Sequence, residues 1–476
     1  MQKFETQIQY WKHQCLKEVA KSRFSDTLIE DCLNIPKKII PGKIPTARCC
    51  VYKERAILSQ RVQLAMGGNK ANPNVIEVLD IACDECPAAG FTVSDGCRGC
   101  LAHKCANACR KNAISFDHNR TAHINKALCV ECGLCAKACP YGAITSRQRP
   151  CQNACSLKAI SINPDMSACI NNDKCVSCGA CAAQCPFGAI SDKSFILDAV
   201  DLIKKRTKDE NMRLYALIAP AIATQFDNCK LSQVITALKQ LHFDEVVEVA
   251  LGADMVAQDE AHELLEKGFL FSSCCPSFVN FIEKNYPELK ELISSNLSPM
   301  AALGKYIKEH QPNAYTVFIG PCMSKKAEAQ KENVKKYIDC VLTFEELVAL
   351  FDSKNIEPEK LAETPIDNAS FFGRMFAKSG GVINAVNEVI KEQNLNMEVK
   401  SESADGMEAI KLAVLRKSKN LTDCNFIEGM ACRGGCINGP ACIFHKDPSI
   451  KKLENFSKES SNKEIKTAVN KKDEQF

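Results

Sequence analysis

"CVECGLCAKACPYGAI" places Cys129, Cys132, Cys135 and Cys139 at C-x2-C-x2-C-x3-C-P spacing. Three cysteines this close wrap one iron–sulfur cubane, and the fourth, before proline, serves the other cluster of a pair. "CRGCLAHKCANACRKNAI" supplies the partner run, Cys97, Cys100, Cys105 and Cys109, with a slightly longer third gap. Crossing the fourth ligands predicts one 4Fe–4S cluster on Cys97, Cys100, Cys105 and Cys139. A second falls on Cys109, Cys129, Cys132 and Cys135. The module repeats as "CVSCGACAAQCPFGAI", with Cys175, Cys178, Cys181 and Cys185, and its partner run "CQNACSLKAI" is cut to Cys151 and Cys155. The same rule gives Cys155 to a third cluster and leaves Cys151 and Cys185 two ligands short. The upstream pair Cys83 and Cys86 would complete a fourth, with Cys169 a competing ligand, so the spacing gives three accessory clusters and leaves the fourth open.

The elements that position these thiols come next. The chain has 476 residues, 30 cysteines and only 8 histidines. That length calls for two or three domains. Disulfide-dense chains are short and secreted, so this cysteine content points to metal, and the scarcity of histidine argues against Cys/His zinc modules. The start, Met1-Gln2-Lys3-Phe4-Glu5, reads as no leader, and no run of about eighteen apolar residues exists, so a cytoplasmic, membrane-free protein is expected. A net charge of +4 is too small for nucleic acid and mildly suits an acidic protein partner. Residues 1–78 form an extension whose Cys15, Cys32, Cys49 and Cys50 lack metal spacing, 79–200 carry the tandem ferredoxin-like units, and 186–212 read as a helical connector. Over 201–445, apolar runs such as "LYALIAP", "EVVEVALG", "GFLF", "YTVFIG" and "DCVLT" alternate with amphipathic helical patterns. That alternation predicts an α/β half with buried parallel sheets. Residues 446–476, rich in Lys, Glu, Ser and Asn, read as a solvated or loosely helical tail.

In the second half the cysteines are sparse and several end strand-like runs. "FLFSSCCPSF" carries Cys274 and Cys275, "TVFIGPCMSKKAEA" carries Cys322, and "FIEGMACRGGCINGPACIF" carries Cys432, Cys436 and Cys442. Active sites of parallel α/β folds form at the carboxyl ends of strands, and helix N-termini there favour anions such as a thiolate cluster. Four such thiols from three distant loops would hold one further cubane.

The three segments resemble the signature motifs of the FeFe-hydrogenases, TSCCPxW, PCxxKxxE and ExMACxGGCxxG, in the family's order, and look most like its divergent group B branch. The resemblance covers roughly residues 80–445. It implies tandem ferredoxin-like units followed by a two-lobed α/β domain, and reversible reduction of protons to H2 at an H-cluster. That group is a 4Fe–4S cubane joined through one cysteine to a diiron unit with CO, cyanide and azadithiolate ligands. It further implies Cys275, Cys322, Cys432 and Cys436 as cubane ligands, Cys436 being shared with the diiron unit. Cys274 would be the last proton donor, reached from solvent through Glu263, Ser294 and Glu260. Lys325 would donate to the cyanide side, oriented by Glu328. Ala219, Pro220, Ala221, Phe376 and Met430 would wall the diiron unit. Implied partners are a small ferredoxin and the maturation proteins that deliver the diiron unit.

Some positions depart from the pattern. Phe278 stands for the usual tryptophan, Gly320 for the methionine before Pro-Cys, Met300 for a glutamine, and Gly439-Pro440-Ala441-Cys442 for a closing GxGQP. These departures bear on tuning and access rather than on the ligand set, and Cys442 reads as a spare buried thiol. Three rival functions stand beside the enzyme: a plain polyferredoxin, a hydrogen sensor, and an iron–sulfur assembly protein lacking the diiron site.

Overall fold

The computed structural model describes residues 4–87, 90–445 and 449–474. Four parallel strands, Glu245–Glu248, Arg213–Ile218, Ala314–Gly320 and Cys340–Thr343, form the larger sheet in that spatial order. Its central register sets Val317 beside Ala216 on one side and Cys340 on the other. These strands are near-continuous apolar runs because helices cover both faces. A smaller parallel sheet orders Leu270–Phe271, Phe426–Met430 and Ser401–Asp405. Five of these seven strands follow the predicted apolar runs. Ser401–Asp405 went unread because this edge strand of Ser, Glu, Ala and Asp, mostly half-buried, has no apolar pattern.

Ahead of the sheets lie two ferredoxin-like units. Each pairs short antiparallel strands, Ile114–Phe116 with Ala122–Ile124 and Ile160–Ile162 with Ala168–Ile170. The expected α+β and α/β architecture, tandem iron–sulfur units followed by the α/β domain, is the observed one. In each unit a glycine follows the second cysteine with positive φ, 74° at Gly133 and 79° at Gly179. A Cβ at Gly179 would sit 2.5 Å from Pro440 Cγ, so the second unit meets the α/β half where only glycine fits.

Both ends of the chain pack onto the rest. The 1–78 extension joins the second unit and a helix of the α/β half. Its last strand, Ile76–Val78, pairs with Ile190–Asp192 of the second unit, and its Gln7–Phe24 helix packs on the Phe344–Ser353 helix. The tail is not solvated. Its helices Ser449–Lys458 and Ile465–Asn470 bury Leu453, Phe456, Ile465 and Val469, and the Arg374 guanidinium donates to Phe456 O at 2.9 Å. Apolar residues at helical spacing were masked there by a polar average.

A buried charge cluster ties these parts together. Lys326 Nζ, fully buried, lies 2.7 Å from Asp192 and 2.9 Å from Glu346. Lys12 Nζ of the first helix reaches Asp192 at 2.6 Å and Glu345 at 2.5 Å. Among the described residues no helix is long and apolar enough to cross a membrane.

Candidate iron–sulfur and cofactor site

The predicted thiols converge at the carboxyl ends of both sheets. From the larger sheet, Ile218 runs into Ala219-Pro220-Ala221 and Gly320 into Pro321-Cys322. From the smaller sheet, Phe271 runs through two serines into Cys274 and Cys275, and Met430 into Ala431-Cys432. Cys275 and Cys322 are each the N-cap residue of the next helix. The Ser324 and Lys325 amides hydrogen-bond to the Cys322 thiol, which favours a thiolate.

One cavity of about 100 Å³ gathers Cys275, Cys322, Cys432 and Cys436, and Cys274 lies beside them. Ala219, Pro220, Ala221, Phe376, Met430 and Lys325 also border it, as do Met300 and Phe318. Burial pushes the ligand thiols up, to about 11 for Cys322 and about 12 for Cys436. Cys432 is likewise held well above its ordinary value by burial, and thiols raised in this way are costly to ionise alone, so their deprotonation is coupled to metal binding. Among the described residues no three His, Cys, Asp or Glu side chains converge as for a single metal ion. The thiols instead ring a space, and four soft sulfur donors without carboxylates suit an iron–sulfur cluster. The residues present fit the implied group.

The Lys325 ammonium is buried, 2.7 Å from Glu328 Oε2 and 3.3 Å from Cys274 O. Cys274 Sγ lies 3.9 Å from Ser272 Oγ. Burial, and then the charge of Glu260, hold this thiol well above its ordinary value, so it rests protonated at neutral pH. Glu260 is fully buried on the Val249–Lys267 helix. Its Oε1 accepts from Ser273 N at 3.0 Å and Ser273 Oγ at 3.2 Å, while Oε2 has no partner. Burial raises its carboxyl to about 7. Ser294 lies against Glu260 and donates to Glu263 Oε2 at 3.0 Å. Glu263 accepts from Ser295 N at 2.9 Å and pairs with Lys267 at 2.7 Å, contacts that hold it below its ordinary value despite burial. Lys267 and Ser294 border a solvent-open cleft of about 280 Å³. Glu263 is thus bonded to Ser294 at the cleft, and Glu260 to Ser273, the residue before Cys274.

Departing positions resolve into packing. Gly320 does not leave a gap, because the Phe318 ring, two residues back on the same strand face, lies 2.6 Å from where a Gly320 Cβ would be. Phe318 takes over that part of the wall, which its place in an apolar run concealed. Met300 borders the cavity, whereas Phe278 stacks edge-on to Phe271 at 5.7 Å, away from it. Cys442 is buried and donates to Ile437 O at 3.3 Å, tying down the turn that carries Cys436. Glu428, unassigned from sequence, accepts from Gly380 N at 2.8 Å and Ile383 N at 3.1 Å and so fixes the segment carrying Phe376.

The accessory thiols form four groups. Cys97, Cys100, Cys105 and Cys139 ring one small cavity, which is the crossed arrangement. Cys135 has Cys129 and Cys109 as charged neighbours, and Cys181 has Cys178, Cys175 and Cys155. Cys151, pushed up to about 11 by burial, has Cys185, Cys86 and Cys83 around it, and all four are buried. Cys169 is exposed on the Ala168–Ile170 strand. Cys178 also borders the main cavity, so the third group abuts it. If the fourth group holds a cluster, Cys151→Ala lowers iron by about four atoms per chain and Cys169→Ala leaves it unchanged, both read by iron analysis of anaerobically purified protein.

Residues 212–440 match the family described as iron only hydrogenase large subunit, C-terminal domain. Residues 96–143 match a 4Fe–4S dicluster domain and 168–191 a 4Fe–4S binding domain. Iron hydrogenase 1 of Clostridium pasteurianum is 33% identical over 255 residues, 44% of each chain. The cytosolic Fe–S cluster assembly factor NAR1 of Eremothecium gossypii is 34% identical over 123 residues, 25% of this chain and 27% of that one. A solved FeFe-hydrogenase, from work on oxygen inactivation of the H cluster, aligns with TM-score 0.49 and 21% identity, over 59% of this chain and 93% of that one. The match spans under half the length of the first curated relatives.

Proposed function

From a chain that resembles the FeFe-hydrogenases and carries 4Fe–4S binding domains, we propose a hydrogenase that interconverts two protons and two electrons with H2. The observation that carries this reading is the cavity that joins four cluster-competent thiols to Cys274, Lys325 and Met430. An assembly factor needs the four thiols and has no use for a protonated fifth thiol with a buried carboxyl chain behind it.

Cys275, Cys322, Cys432 and Cys436 would hold the cubane, with Cys436 shared with the diiron unit. When bound, the diiron unit supplies the metal centre at which protons and electrons combine. The chain does the rest. Lys325, fixed by Glu328, offers a charge-assisted donor on the cyanide side. Ala219, Pro220, Ala221, Phe376, Met430 and Phe318 exclude water. Cys274 holds a proton at Sγ and is resupplied from Glu260, whose value near 7 lets it both take and give a proton at working pH. Ser294 and Glu263 connect Glu260 to the open cleft. Electrons arrive through the accessory groups and leave the third beside Cys178. A small reduced electron carrier and a maturation system that delivers the diiron unit are the partners this chemistry needs.

The test is hydrogen evolution from reduced dye by anaerobically purified protein, with and without added diiron cofactor. Activity only with cofactor supports the enzyme. A loaded cofactor, seen by its CO and cyanide infrared bands, without turnover points to a sensor. Failure to load at all points to the assembly reading. In an active preparation, Glu260→Gln lowers evolution by about 10²-fold or more with the infrared bands retained, because an amide occupies the same space and relays no proton.

A further inference from the structure

The two ferredoxin-like units share a module and differ in surface. Between Gly90 and Arg147 stand eight lysines and arginines against three carboxylates, Asp95, Asp117 and Glu131, and all eight cations are exposed. That net +5 exceeds the +4 of the whole chain. Between Cys151 and Asp192 the balance is two lysines against three aspartates. The first unit also exposes four large apolar side chains beside its thiols: Leu101 at 84%, Leu128 at 50%, Val130 at 59% and Tyr141 at 59%. The second exposes none of that kind among the described residues.

The second unit's surface is spent inside the molecule. Ser324 Oγ donates to Ser177 O at 2.8 Å, and Lys284 Nζ to Cys175 O at 2.7 Å and Asn172 O at 2.8 Å. Among the described residues the first unit makes no hydrogen bond to the catalytic half. Of the sixteen accessory thiols, Cys132 is the exposed one. It lies between Leu128, Val130 and Lys137 in sequence, in the group that also takes Cys109 next to Arg110.

We propose that the Gly90–Arg147 unit is the docking surface for a small acidic iron–sulfur electron carrier protein, with electrons crossing at the Cys109, Cys129, Cys132 and Cys135 group. This rests on the electron-transfer reading above and names its partner face. Exposed apolar side chains on a unit with a marked excess of one sign of charge suit a short-lived complex steered by charge and seated by a small dry contact. One electron passes per encounter: the carrier's cluster is oxidised by one, the receiving cluster reduced by one, and no bond changes. The same module therefore serves two interfaces, the second unit an internal one and the first an external one.

The test is calorimetric titration of the full chain with an oxidised, acidic two-cluster ferredoxin at low ionic strength, which needs no hydrogen turnover. The expected result is that Arg110→Glu/Lys137→Glu weakens binding at least about tenfold and that the difference shrinks as salt shortens the screening length. Val130→Ser weakens binding at low and high salt alike. Lys174→Glu in the second unit leaves binding as it was. Iron content shows that each variant kept its clusters. Equal affinity for the double reversal and the parent, or equal loss with Lys174→Glu, overturns the proposal. Either result stands whether or not the protein evolves hydrogen.

Discussion

Cys274→Ala is expected to lower hydrogen evolution by about 10²–10⁴-fold while leaving iron content and the infrared bands of the diiron unit in place. The thiol stands next to Cys275, a ligand in the proposed function, and its own Sγ lies 3.9 Å from Ser272 Oγ. Burial keeps it protonated. In that reading it carries a proton rather than binding metal. Alanine removes the proton carrier and little volume. Cys274→Asp restores a protonatable group at the same place and is expected to recover part of the rate with a pH profile moved toward acid, since a carboxyl begins from a lower value than a thiol. A role in packing alone would give no such shift. Loss of iron in Cys274→Ala would sink the division of labour between the two cysteines.

Lys325→Met is the second large effect. It leaves the Glu328 carboxylate buried without its ammonium, and breaking such a pair costs about 3–5 kcal/mol. The lower end applies because Glu328 also borders the open cleft. Thermal melting reads that loss. Lys325→Met/Glu328→Gln removes both charges and is expected to regain most of the stability. Neither variant is expected to hold the diiron unit, because both lack the donor on the cyanide side, so the CO and cyanide bands are absent in each. Bands retained in the double variant would show that Lys325 serves the fold and not the cofactor.

Some of this was legible in the sequence for physical reasons. The accessory cysteines are read from spacing because each cluster is wrapped by one short loop plus one crossed ligand. The fourth group was not decidable that way, since Cys83 and Cys86 reach Cys151 and Cys185 only through the fold. Glu260 and Glu263 are singled out by the family resemblance, since helical spacing alone reads as a solvated helix face. Lys326, second of a Lys-Lys pair, looks like a surface residue and is fully buried. Phe318 looks like core and is a wall of the site. Sequence pattern reports local geometry, whereas burial of a charge depends on what a distant segment brings to it.

The cluster of Lys12, Asp192, Lys326, Glu345 and Glu346 draws its members from the first helix, the second iron–sulfur unit, the helix that carries Lys325 and the Phe344–Ser353 helix. Its two ammoniums meet its three carboxylates only when all four are docked. Neither the leading helix nor the iron–sulfur units can leave without stranding carboxylates in a dry interior. The borders that composition draws along the chain are thus not borders of cooperativity. The α/β half cut free of the rest is expected not to stand alone, and the iron–sulfur units are expected to melt together with it.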